Sequence, residues 1–140
     1  MSAYPPILLV DDNPLYVDLS LRAFQRRKLV NPILVARDGE EALAWVPRWE
    51  AGEIQPVVIL LDLNMPRIDG LTVLRTLKAH PVLRRIPIVI LTTSNEDRDI
   101  QTAYDLGVNS YIVKPVGFDN FMEVAQHIEL YWCVLNEQPQ

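Results

Sequence analysis

Val57-Val58-Ile59-Leu60-Leu61-Asp62-Leu63-Asn64-Met65-Pro66 opens with five aliphatic residues in unbroken succession and then meets a carboxylate. A strand wetted on one face alternates apolar with polar side chains. This run does not, so it predicts a strand covered on both faces, as in a parallel sheet. Working outward, runs of the same kind recur as Ile7-Leu8-Leu9-Val10, Ile33-Leu34-Val35-Ala36, Ile88-Val89-Ile90-Leu91 and Tyr111-Ile112-Val113. Helical spacing fills the intervals. Leu15, Leu19, Ala23 and Leu29 form one stripe, and Leu71, Leu74 and Leu77 another, which Ala79 extends and Pro81 stops. Trp45 and Trp49, four apart, share one face of the second helix. A last helix from Phe118 or Asp119 aligns Phe121, Ala125, Ile128, Trp132 and Leu135. Five strands alternating with five helices predict a doubly wound α/β fold, with a five-stranded parallel sheet in the order 2-1-3-4-5.

Composition narrows the function. At 140 residues the chain has the size of one domain, expected to span 1–140 with a frayed tail at 137–140. Its apolar runs are too short to cross a bilayer, and the first residues lack a basic patch followed by an apolar stretch. Cys133 is the single cysteine, which fits a reducing, cytoplasmic setting. A net charge of −5 argues against a nucleic-acid surface and points to clustered acidic groups.

Those groups sit where such sheets bind ligands, outside the carboxyl ends of the strands. The first strand ends in Asp11-Asp12 and the third in Asp62. The fourth ends in Thr92-Thr93, and the fifth runs into Lys114-Pro115. Three converging carboxylates repel one another unless a cation lies among them, and an all-oxygen site favours a hard cation such as Mg²⁺. Lys114 adds a compact positive charge and Thr92 a hydroxyl donor. Phosphoryl transfer needs that combination of positioning and charge neutralisation, and an aspartate can itself be the nucleophile.

Each residue alone has an ordinary explanation. An Asp after a strand caps a turn or a helix, a lysine is usually solvated, and a threonine often caps. The order in which acid, hydroxyl and base reach one edge is what favours a site. Competing readings fare worse. Phosphatases with an aspartate nucleophile of the haloacid-dehalogenase type carry Asp-x-Asp after the first strand, whereas here the pair is adjacent. A flavin or nucleotide site would want glycines in the first loop, where Asp11-Asp12-Asn13-Pro14 has none. A docking module that has lost phosphorylation remains an alternative, and the joint presence of Asp12, Asp62, Thr92 and Lys114 speaks against it.

Leu9-Val10-Asp11-Asp12-Asn13-Pro14, Leu60-Leu61-Asp62-Leu63-Asn64-Met65-Pro66, Asp69-Gly70, Leu91-Thr92-Thr93 and Val113-Lys114-Pro115 resemble, in content and spacing, the receiver domains of two-component response regulators. The resemblance implies a flavodoxin-like (βα)5 receiver, a signalling phosphoacceptor and not a turnover enzyme. Asp62 would take its phosphoryl group from a histidine kinase in a phosphorelay. It further implies Mg²⁺ or Mn²⁺ held by Asp12, by Asp11 through a water, by Asp62 and by the main-chain carbonyl of Asn64. Lys114 would pair with the phosphoryl oxygens, and Thr92 would move to hydrogen-bond one of them. Tyr111 would be an aromatic switch turning inward after Thr92, and the Lys114–Pro115 bond would be cis. Asn64 and Ser94 flank the site and are placed to tune acyl-phosphate hydrolysis. Thr93 is bulkier than the small residue usual in the family.

Val35-Ala36-Arg37-Asp38-Gly39-Glu40-Glu41-Ala42-Leu43, His80-Pro81-Val82-Leu83-Arg84-Arg85-Ile86-Pro87, Phe118-Asp119-Asn120-Phe121 and Ile128-Glu129-Leu130-Tyr131-Trp132 are similar to the single-domain regulators that partner cyanobacterial bacteriophytochrome kinases. This implies a kinase partner of that type, downstream of a light sensor. Tyr131, Trp132, Val134 and Leu135 exceed what one helix end can cover, which predicts a homodimer through the fourth helix, fifth strand and fifth helix. His80 reads as a helix-end residue and His127 as a surface one. Arg26-Arg27-Lys28 reads as a solvated helix face with a minor claim to partner docking.

Overall fold

A computed structural model describes residues 4–114 and 117–132. Five strands, β1 (Ile7–Val10), β2 (Ile33–Ala36), β3 (Val58–Leu61), β4 (Ile88–Thr92) and β5 (Ser110–Val113), form one parallel sheet in the order β2-β1-β3-β4-β5. The unbroken aliphatic runs follow from burial on both faces. Leu8, Val10, Ile59, Leu61, Ile88 and Ile90 enter one core, while Ile7, Leu9, Val58, Leu60, Val89 and Leu91 enter the other. The edge strands β2 and β5 are largely half-buried, and Val113 at the end of β5 is exposed.

The helices are α1 (Pro14–Arg26), α2 (Gly39–Leu43), α3 (Trp45–Glu50), α4 (Gly70–Ala79), α5 (Asp97–Asp105) and α6 (Phe118–Trp132). The expected second helix is thus two. Pro47 has no N–H for the carbonyl four residues back, so the chain turns at Ala44 and restarts with Pro47 in the first turn of α3, where that loss is tolerated. Trp45 and Trp49 still share a face, stacked at 6.0 Å. The fourth and fifth helices of the sequence reading are therefore α5 and α6. Among the described residues, no helix is long and apolar enough to cross a membrane. The Lys114–Pro115 bond, Cys133, Val134, Leu135 and the tail at 137–140 lie outside the described residues.

Two helix faces differ from the expected stripes. In α1 the Asn13 side chain caps the helix, accepting from the Leu15 N–H at 2.9 Å, and Pro14 supplies the first helical residue. That start turns Val17, Ser20, Ala23 and Phe24 inward and leaves Leu15 61% exposed. In α6 Phe121, Ala125 and Ile128 are buried as expected, but so is Glu129, beside Arg27 at the end of α1. Arg27 is therefore not part of a solvated basic face. It tethers α1 to α6, and removing one partner of a buried ion pair strands the other charge. Because the Arg27 side chain is still 32% exposed, Arg27→Met is expected to lower unfolding free energy by about 2 kcal/mol, less than for a fully buried pair, read from urea titrations. An unchanged midpoint would show that Glu129 needs no counter-charge.

Candidate functional site

Parallel register delivers the polar groups to one edge. Val10 pairs with Leu61, so Asp11 and Asp62 follow side by side, and Asp62 N–H donates to the Val10 carbonyl at 3.0 Å. Thr92 pairs with Val113, and the next residue, Lys114, donates its N–H to the Thr92 carbonyl. Asp11, Asp62, Thr92 and Lys114 are all buried at this edge, while Asp12 is exposed.

Both buried carboxylates divide their oxygens in the same way. Asp11 Oδ1 accepts from Asn13 N–H at 2.9 Å and Asp62 Oδ1 from Asn64 N–H at 3.2 Å. Their Oδ2 atoms face the Lys114 ammonium, at 2.8 Å from Asp11 and 3.3 Å from Asp62. The same ammonium lies over the ring of Tyr16, 4.0 Å from its centroid. Burial pushes the Asp11 carboxyl above its ordinary range, while Lys114 and the Asn13 N–H pull it down.

Asp11, Asp12 and Asp62 each offer a carboxylate oxygen, all within 4.8 Å of one another. Three hard oxygen donors, one of them facing solvent, fit a small divalent cation that keeps part of its water shell. The histidines have other partners. His80 Nδ1 accepts from the Val82 and Leu83 N–H groups, and its Nε2 lies 3.0 Å from a Glu50 oxygen. His127 stacks on Tyr131.

From Thr92 a chain of contacts leads outward. The Asn64 amide donates to Thr92 Oγ1 and Thr93 Oγ1, each at 3.4 Å, and Ser94 N–H donates to Thr92 Oγ1 at 3.4 Å. The Ser94 hydroxyl donates to Asp99 Oδ2 at 2.5 Å, at the start of α5. Tyr111 is half-buried against the core on the α4 side, and its hydroxyl donates to the Ser94 carbonyl at 2.9 Å. Burial raises the Tyr111 phenol above its ordinary value.

Asp69 caps α4, accepting from Thr72 N–H at 2.9 Å, and Gly70 is its first residue. Position 70 has no room for a side chain, because a Cβ there would stand 2.1 Å from the Asp62 carbonyl oxygen. Sequence reasoning missed Tyr16 and Asp99, since nothing in the order of residues brings either to its partner.

The family model of the response regulator receiver domain matches residues 7–126. The chain belongs to that family. This receiver is 41% identical over 134 residues to the probable methanogenesis regulatory protein FilR2 of Methanothrix harundinacea (strain 6Ac), covering 95% of this chain and 86% of FilR2. It is 37% identical to response regulator Rcp1 of Synechocystis sp. (strain ATCC 27184 / PCC 6803 / Kazusa), covering 91% and 90% of the two chains. Among solved structures, the receiver is similar to the phosphorylated cyanobacterial phytochrome response regulator RcpA, with TM-score 0.84 and 38% identity over 93% and 94% of the chains. The bacteriophytochrome response regulator AtBRR matches with TM-score 0.76 and 43% identity over 98% and 100%. The Mn(2+)-bound form of Rcp1 matches with TM-score 0.83 and 34% identity over 97% and 99%.

Proposed function

We propose that this receiver is a phosphoacceptor, taking a phosphoryl group on Asp62 from the phosphohistidine of a phytochrome-type histidine kinase. The observation that carries this reading is the triangle of Asp11, Asp62 and Lys114 with the Thr92 hydroxyl buried beside it. The light-sensing part rests on likeness to the phytochrome response regulator RcpA and the bacteriophytochrome response regulator AtBRR.

Asp62 Oδ2 attacks phosphorus, the donor's phosphorus–nitrogen bond breaks, and the imidazole leaves with a proton from solvent. The product is an acyl phosphate. Lys114 moves from Asp62 Oδ2 to a phosphoryl oxygen while keeping Asp11, and so meets negative charge as it develops. Thr92 supplies a hydroxyl to a second phosphoryl oxygen and gives up its contacts with Asn64 and Ser94. Mg²⁺ or Mn²⁺, held by Asp11, Asp12, Asp62 and the Asn64 carbonyl, would neutralise charge on the transferring group. Movement of Thr92 reaches Tyr111 through Ser94, and a shift of a few kcal/mol suffices to change a surface population. The surface that responds is built by α5, β5 and α6, where Tyr104, Val113, Leu130 and Tyr131 are exposed. It is the proposed homodimer face, and sedimentation of phosphorylated and unphosphorylated protein checks it. A monomer in both states would remove the dimer from the reading.

The decisive test is incubation with acetyl phosphate, with Mg²⁺ or with a chelator, followed by intact mass and by mapping of the modified peptide. A Mg²⁺-dependent gain of one phosphoryl group on the peptide carrying Asp62 is expected. No gain with any divalent metal would overturn the reading and leave a docking module of the same fold.

A further inference from the structure

Lys114 carries its charge on a flexible four-carbon stem, yet its ammonium must sit within reach of two different anions before and after phosphorylation. The two carboxylates hold it at 2.8 Å and 3.3 Å. Once Asp62 becomes an acyl phosphate, its oxygen can no longer offer the same charge, so half of that hold changes with the reaction. The contact with Tyr16 does not. Tyr16 lies in the first turn of α1, and the face of its ring is 4.0 Å from Lys114 Nζ. The Tyr16 ring also meets Phe121 of α6, with centroids 5.8 Å apart, and Phe121 is buried.

We propose that Tyr16 is a positioning residue for Lys114, its ring face holding the ammonium at the acceptor through the change from carboxylate to acyl phosphate; the functional part rests on the phosphoacceptor reading above. The attraction between a cation and a ring face strengthens where water is excluded, and Lys114 is only 8% exposed. A ring face carries no hydrogen-bond acceptor of fixed direction, so the ammonium can turn its protons from Asp62 to a phosphoryl oxygen without leaving the ring. The hydroxyl of Tyr16 has no part in this. Phenylalanine should therefore serve, and an aliphatic side chain of similar bulk should not.

Two readouts on the whole chain test it. Loss of the ring face in Tyr16→Leu is expected to slow Mg²⁺-dependent phosphorylation by acetyl phosphate about tenfold, whereas Tyr16→Phe stays within about threefold of wild type. In NMR spectra of the metal-free protein, the Lys114 Hε protons are expected to be shifted upfield by the ring in wild type and Tyr16→Phe. In Tyr16→Leu they return towards ordinary lysine values. A merely packing residue would change the melting temperature and leave the Lys114 signal and the Phe rescue unexplained. If Tyr16→Leu does not fold, Tyr16→Met, which keeps a flexible apolar contact with Phe121, takes its place. Wild-type rates in the aliphatic variant, or Lys114 protons without ring shift in wild type, would overturn the proposal. Should the wild type accept no phosphoryl group at all, the phosphoacceptor reading fails, while the NMR comparison still decides whether Tyr16 holds Lys114.

Discussion

Asp62→Asn is expected to take up no phosphoryl group from acetyl phosphate, a loss of at least about a thousandfold, because an amide offers no anionic oxygen to attack phosphorus. The substitution keeps the shape of the side chain, so the Asn64 N–H still finds an oxygen and the fold should persist. Lys114 keeps Asp11 at 2.8 Å, and the crowd of carboxylates loses one charge. Melting temperature is therefore expected to hold or rise slightly in the absence of metal, while metal affinity falls. Intact mass and thermal melts with and without Mg²⁺ read both. A phosphoryl group still acquired by Asp62→Asn would mean that the acceptor is another residue, with Asp12, the exposed carboxylate, first in line.

Gly70→Ala carries the largest expected cost to stability. The added Cβ would lie 2.1 Å from the Asp62 carbonyl oxygen, 2.6 Å from Leu63 Cα and 2.9 Å from the Asp62 carbonyl carbon. All three are backbone, so no side chain can swing aside. Either α4 backs out of its core, where Val73, Leu74 and Leu77 are buried, or the segment carrying Asp62 bends. Overpacking against yielding neighbours costs about 1–3 kcal/mol, so a clash with backbone is expected to cost at least about 3 kcal/mol. For a chain of this size that lowers the melting temperature by about 10 °C. Phosphorylation should suffer with it, since the strain falls on Asp62. A variant melting within about 2 °C of wild type would show that α4 can move away without loss.

Much of this was legible in the sequence, for a physical reason. A parallel strand between two helical layers must be apolar on both faces, and five such runs ended at the right places. Asp11, Asp12, Asp62, Thr92 and Lys114 could be assigned to one edge because a parallel sheet puts every strand's carboxyl end there. Phase along a helix was harder to read. Leu15 fits an apolar stripe by spacing, yet the Asn13 cap and Pro14 set the rotation of α1, and Val17, Ser20 and Phe24 face inward instead. Contacts between distant elements left no trace in spacing. Arg27 read as part of a basic run because Glu129 stands 102 positions away, on a helix whose neighbour was not known. Tyr16 read as nothing in particular, since only the folded sheet brings Lys114 under its ring. Gly70 read only as part of a motif, and the backbone of Asp62 and Leu63 that leaves it no room shows only in the fold.

Ser94 joins three things at one residue: its N–H to the Thr92 hydroxyl, its carbonyl to Tyr111 and its hydroxyl to Asp99. Thr92 lies at the pocket, whereas Tyr111 and Asp99, both half-buried, belong to β5 and α5, which build part of the proposed responding surface. Thermodynamic linkage makes any traffic through such a joint symmetrical. Whatever free energy a change at Thr92 delivers to the outer surface is returned in equal amount when a partner fixes Tyr111 or Asp99 from outside. A bound partner is then an effector of the pocket as much as a reader of it, favouring the same chemical state that favours its own binding.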